Sequence, residues 1–187
     1  MTPNPAPAPV PAANPAPAPD IRALMTGFPT GVTVVTAFAT DGTPWGMTCT
    51  SLCSVALDPP TVLVCLRRAS PTLEAVLESR ALAVNLLHAQ SRPAAELFAS
   101  AAKDRFERIA WHPGDHACGP HLEGSAHTVA DCQVADVHTV GDHTVVMGRV
   151  LAVTRLRPQT PLLYGMRRYG SWADNADETL LSYDFIS

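Results

Sequence analysis

Asp58-Pro59-Pro60 separates two extended runs and limits what the chain around it can form. Neither proline has an N–H to give to a ladder, so a strand entering from the N-terminal side ends there. The run before it, Gly46 to Leu57, mixes hydroxyls with apolar residues. Thr48, Thr50 and Ser54 share one parity, and Met47, Cys49, Ser51, Cys53 and Val55 the other. A single strand here carries polar groups on both faces. Buried hydroxyls need partners, which a ligand rich in acceptors would supply; an edge strand with Ser and Thr in water is the plainer alternative. The run after the prolines, Thr61 to Leu66, is continuously apolar and reads as a central strand.

Similar punctuation recurs along the chain. Asp41-Gly42 follows the β-branched run Val32 to Ala39, and Gly141-Asp142 joins strands at His127–His138 and His143–Val153. Ala81 to Leu87 is a further strand, and Thr179 to Phe185 reads as a short terminal one. Helices are short. Asp20 caps one through Ile21, Leu24 and Met25 that ends at Gly27; Ser70-Pro71 supplies the cap and first position of a second; Ser91 precedes a third through Phe98 and Ala101. Residues 162–172 read as irregular and dense in aromatic and cationic groups. Residues 111–124 read as a surface loop, and the spacing of His112, His116, Cys118 and His121 matches no closed zinc pattern. Strands joined to their neighbours by tight turns predict a mainly β protein. The expected form is a closed antiparallel barrel with helices at its ends, rather than a parallel βαβ sheet.

At 187 residues the chain holds one domain of ordinary size. Residues 1–19, which alternate Pro with Ala and Asn, predict a disordered tail, and residues 20–187 the domain. A net charge of −4 gives no basic footprint for nucleic acid. No apolar run has the length of a membrane span and no signal peptide opens the chain, so a cytoplasmic protein is expected. The five cysteines have no paired framework, which fits reduced thiols, with Cys49 and Cys53 as small buried filler and no metal site. No Gly-x-Gly-x-x-Gly, Gly-x-Ser-x-Gly or His-Glu-x-x-His pattern occurs.

Several motifs stand in an order that resembles the short-chain flavin reductases of the flavin-binding split-barrel fold. They are Phe28-Pro29-Thr30-Gly31 with the strand after it, Gly46-Met47-Thr48 through Asp58-Pro59-Pro60, and Lys103-Asp104-Arg105-Phe106. Gly141-Asp142-His143 with Gly148-Arg149-Val150, and Pro161-Leu162-Leu163-Tyr164 with Arg168-Tyr169, follow. The resemblance covers residues 20–187. It implies a homodimeric split barrel that uses NADH or NADPH to reduce FAD or FMN, as the small partner of a flavin-dependent monooxygenase.

By matched position, the resemblance puts Thr30 and Thr33 near the flavin and Met47, Thr48, Cys49, Thr50, Ser51, Ser54 and Val55 along its ring and ribityl chain. It puts Arg67, Ser70 and Thr72 near the phosphate, and Lys103 and Phe106 at the rest of the pocket. Arg168, Tyr169 and a catalytic His143 would lie towards the nicotinamide. Many relatives read Ala-Asn-Ser where this chain has Cys49-Thr50-Ser51, and tend to have Gly where it has Arg167. Hydride transfer between two cofactors asks for no nucleophile or general base, and a capped helix start beside Arg67 is suited to a phosphate. Two other readings remain open: a split-barrel oxidase with tightly held FMN, and a non-enzymatic flavin- or haem-binding barrel.

Overall fold

The computed structural model describes residues 19–156 and 159–172, whose strands form two sheets. The tail apart from its last residue, and the terminal strand expected at Thr179–Phe185, lie outside the described residues. In chain order the elements are α1 (Ile21–Thr26), β1 (Thr30–Gly31), β2 (Thr33–Phe38), β3 (Pro44–Cys49), β4 (Cys53–Leu57) and β5 (Pro60–Arg67). After them come α2 (Pro71–Ser79), β6 (Ala81–Leu87), α3 (Arg92–Ala99), a 3-10 turn (Arg105–Glu107), β7 (Ala126–Val140), β8 (His143–Arg155), β9 (Leu162–Gly165) and β10 (Arg168–Ser171).

The larger sheet is antiparallel throughout, in the order β3-β2-β6-β7-β8-β5-β4. Its two outer strands, β3 and β4, are consecutive in sequence, so the sheet curls back on itself into a split barrel with a seam at residues 50–52. This corrects the expectation of one strand from Gly46 to Leu57. β3 follows β2 as far as the Cys49–Thr33 pair, and β4 joins β5 from the Cys53–Leu63 pair. At the seam the Ser51 side chain stands where a strand would: its Oγ accepts from Cys65 N at 2.8 Å and donates to Cys65 O at 3.2 Å.

The smaller sheet, β1-β9-β10, corrects the irregular reading of residues 162–172. Met166 and Arg167 form its turn with φ of 51° and 59°, the left-handed conformation a two-residue hairpin demands. Neither residue is one of the Gly, Asn or Asp types that normally announce it.

β2 is buried on both faces, which explains its unbroken β-branched run. Val35 and Ala37 face a core shared with Val64, Leu66, Leu82, Val84 and Val146 from the barrel strands and Leu73 and Val76 of α2. Val32 and Val34 face a second core with Phe98 of α3, Leu122 and Leu162. Full burial of a side chain such as Phe98 stabilises by roughly 1.5–3 kcal/mol.

The loop at residues 111–124 is not wholly on the surface as expected. Cys118 to Leu122 are buried and lie over β2 and β6. Asn85 holds this strap: its Nδ2 donates to Pro120 O at 3.2 Å and its Oδ1 accepts from Leu122 N at 2.8 Å, while Thr36 Oγ1 donates to Pro120 O at 2.7 Å. A Cβ on Gly119 would lie 2.5 Å from Thr36 O, so only glycine allows this approach. Cys49 is buried as expected; Cys53, expected buried, is exposed on β4, the outer strand of the larger sheet among the described residues.

Candidate functional site

Local chemistry starts α2 where the sequence expects it. Pro71 takes the first turn, and Ser70 Oγ accepts from Thr72 N at 3.2 Å. The same hydroxyl lies 3.3 Å from Met47 Sδ, which ties the helix start to β3. Between β3, the start of α2 and the segment after α3 opens a cleft of about 890 Å³.

Met47, Thr48, Cys49, Thr50, Ser51, Arg67, Ser70, Thr72, Lys103, Phe106 and His143 line this cleft. Other residues named for the site lie elsewhere. Thr33 is buried beside the cleft wall, its Oγ1 donating to Cys49 O at 2.8 Å. Thr30 is on β1, paired with Tyr164. Ser54 and Val55 are exposed on β4. Arg168 and Tyr169 are on β10, where Tyr169 packs against Tyr164 and under Arg92, so they do not share the cleft with His143. His143 instead stands opposite Arg67 in the β5–β8 ladder. Its Nδ1 meets Asp142 Oδ1 at 2.8 Å, and that hydrogen bond holds the Asp142 carboxyl below the usual carboxylate range.

The hydroxyls of the wall differ in what they have left to offer. Thr48 Oγ1 donates to Ala95 O at 2.6 Å and so pins α3 to β3, and Ser51 is bound to Cys65. Thr50 is exposed and makes no side-chain hydrogen bond to any described residue. Ser51 Oγ also lies 3.0 Å from Cys49 Sγ, and burial pushes that thiol above its ordinary pKa.

Trp45, Phe98 and Arg105 also line the cleft, and sequence reasoning did not single them out for it. Phe98 carried only a helical-face signal, and Arg105 stood inside the Lys103–Phe106 motif without a role. A sharper clue was Gly46. A Cβ there would lie 2.9 Å from Phe98 and 3.1 Å from Phe106, so the aromatic wall needs a glycine on β3. Phe98 and Phe106 meet edge to face at 5.1 Å between centroids.

The charge of the cleft is one-sided. Arg67, Lys103, Arg105 and the imidazole of His143 line it, with no Asp or Glu among the described lining residues, in a chain of net charge −4. No group of three or more His, Cys, Asp or Glu among the described residues is placed to hold a metal. An apolar and aromatic wall with cations and helix-start amides fits a large planar ligand that carries phosphate.

Comparison with known proteins agrees with that chemistry. Residues 25–173 match the family model described as a flavin reductase like domain. The chain is 54% identical over 153 residues to a flavin reductase (NADPH) of Lentzea aerocolonigenes, covering 82% of this chain and 89% of that one. It is 34% identical over 148 residues to the flavin-dependent monooxygenase reductase subunit HsaB of Rhodococcus jostii, covering 79% and 74%. The solved NADH:FAD oxidoreductase SgcE6 of Streptomyces globisporus, in complex with NAD and FAD fragments, superposes with a TM-score of 0.78 at 33% identity, covering 84% and 93%. The chain belongs to the flavin reductase family.

Proposed function

We propose that the cleft is the site of an NAD(P)H-dependent flavin reductase reaction, in which hydride passes from a reduced nicotinamide to FAD or FMN and the reduced flavin is handed to a partner monooxygenase. The observation that carries this reading is the makeup of the cleft: cations and the start of α2 beside an aromatic wall, with no Asp or Glu among the described lining residues, in a fold of this family. Flavin, when bound, supplies the hydride-accepting ring; the chain binds and orients.

Under this reading Met47 to Ser51 and Phe106 flank the ring, and Thr50 offers it a hydroxyl that bonds to no described residue. Thr48 and Ser51 act through the backbone they hold rather than as ligand donors. Ser70, Thr72 and Arg67 take the flavin phosphate at the start of α2, where the helix dipole and the Arg67 guanidinium favour an anion. His143, oriented by Asp142, stands at the same rim and fits a role towards the nicotinamide.

The reading extends to a homodimer in the cytoplasm, with residues 1–19 as a tail outside the catalytic domain. Support for a dimer comes from apolar residues left exposed on α1 and its flank, among them Ile21, Leu24 and Phe28, and on the β4 edge at Leu57. Light scattering of the purified protein should give twice the chain mass; a monomer contradicts that part. Among the described residues no helix is long and apolar enough to cross a membrane.

Release of the product distinguishes this function from that of a barrel with resident flavin. Anaerobic turnover with excess NADPH and FAD, followed by ultrafiltration, should leave reduced flavin in the filtrate in excess over protein. Flavin that stays with the protein, and nicotinamide consumption that stops after one equivalent, would contradict the proposal.

A further inference from the structure

Arg105 opens the 3-10 turn and lines the cleft beside Phe106. One Nη donates to the Gly46 carbonyl on β3 at 2.8 Å, and the other donates to the carbonyl of Ser100. Its Nε is buried and has no partner among the described residues. The two bonds use two of the five N–H groups of a guanidinium.

Carbonyl oxygens satisfy N–H groups but do not neutralise a charge. Arg105 has no carboxylate within ion-pair distance among the described residues, and none of those residues brings a carboxylate to the cleft. Burial lowers the pKa of this guanidinium, as it does for a cation drawn from water without an anion. A partly buried cation left without a counter-ion is costly unless a ligand supplies one. The bonds to Gly46 and Ser100 hold the planar fork in place, which is the preorganised form in which arginine meets phosphate oxygens.

Arg67 and the start of α2 bring positive charge to the cleft from one part of the chain. Arg105, with Lys103, brings it from another, the segment after α3. We propose that Arg105 receives a phosphate of a nucleotide substrate at a second anion seat, apart from the one at the start of α2. The inference rests on the flavin reductase reading of the cleft. Flavin nucleotides and nicotinamide nucleotides both carry phosphate, and each has a phosphate-free form, riboflavin and dihydronicotinamide riboside. The competing role is a staple that only joins Gly46 to Ser100.

The test compares wild type, Arg105→Met and Arg105→Lys in steady-state turnover with FAD against riboflavin, and with NADPH against dihydronicotinamide riboside. In Arg105→Met, kcat/KM for the phosphate-bearing member of at least one pair should fall tenfold or more beyond any fall for its phosphate-free partner, about 1.4 kcal/mol of lost interaction. The affected pair identifies whose phosphate sits there, and Arg105→Lys, which keeps the charge but not the fork, should recover only part of the loss. Inorganic pyrophosphate should inhibit wild type competitively against that substrate, and inhibit Arg105→Met at least tenfold more weakly.

Equal losses for both members of both pairs would make Arg105 a staple and overturn the proposal, as would no loss at all. Absence of pyrophosphate inhibition in wild type overturns it without any variant, which covers the case in which Arg105→Met does not fold. A wild type that turns over no flavin with any nicotinamide overturns the reading of the cleft and this inference with it. A wild type that is active, with equal losses in the variant, overturns the inference alone.

Discussion

Replacing Ser51 by alanine removes the hydroxyl that bridges the seam of the barrel to the Cys65 backbone. Beyond the start of β4, Cys65 has β8 on one side and no described strand on the other, where Ser51 Oγ serves both its N–H, at 2.8 Å, and its carbonyl, at 3.2 Å. Two lost bonds at about 1 kcal/mol each, with part of the penalty for a Cys65 N–H left poorly solvated, come to about 2–3 kcal/mol. For a domain of this size that lowers Tm by about 5–10 °C. The assay is thermal unfolding of the ligand-free protein, paired with flavin titration of the folded variant. Ser51→Thr should recover part of the loss by keeping the hydroxyl. A ligand-free Tm that does not move, together with a tenfold weaker flavin affinity, would refute the reasoning. Ser51 would then be a ligand donor and not the closure of the seam.

Two further outcomes are expected. Gly46→Ala brings a Cβ to 2.9 Å from Phe98 and 3.1 Å from Phe106 and Thr36. Such overpacking costs about 1–3 kcal/mol, and it displaces the aromatic wall, so both Tm and flavin affinity should fall; calorimetry and fluorescence titration check this. The thiols of Cys118 and Cys132 are pushed from an ordinary 9.0 to about 11 and about 12, chiefly by burial. Above pH 9.0 the unfolded chain gives up protons that the folded chain keeps, so stability falls as pH rises towards those folded values. Cys132 alone contributes up to about 1.4 kcal/mol per pH unit over that range. Cys132→Ala should be less stable near neutrality through the cavity it leaves, yet lose stability more gently above pH 9.0; urea midpoints across that range measure it.

What could be read in the sequence was mostly set by neighbouring residues. Asp58-Pro59-Pro60 ends a strand by lacking donors, Ser70-Pro71 starts α2 by its own cap, and Gly141 adopts the positive φ of the β7–β8 turn. Features set by distant partners were hidden. The break at residues 50–52 leaves no local mark, because the hydroxyl alternation runs through it; β3 stops where β2 starts, at Thr33, and β4 begins opposite Leu63, inside the length of β5. The Met166-Arg167 turn is held by the β9–β10 pairing and by Met166 N donating to Thr26 O at 2.8 Å, not by turn-forming residues. The same holds at the site. The motif order drew attention to Met47–Ser51, Ser70 and Phe106, but which hydroxyls remain free depends on carbonyls far along the chain, at Ala95 and Cys65. Thr50, where the chain departs from Ala-Asn-Ser, lines the cleft with a hydroxyl that bonds to no described residue, as does Thr72.

The most direct measurement is flavin-dependent nicotinamide oxidation by the purified protein in every pairing of FAD, FMN and riboflavin with NADH and NADPH. Turnover should require added flavin, saturate with it, and favour phosphate-bearing flavins over riboflavin. Nicotinamide left unconsumed in every pairing, or consumed at a rate indifferent to added flavin, would contradict it.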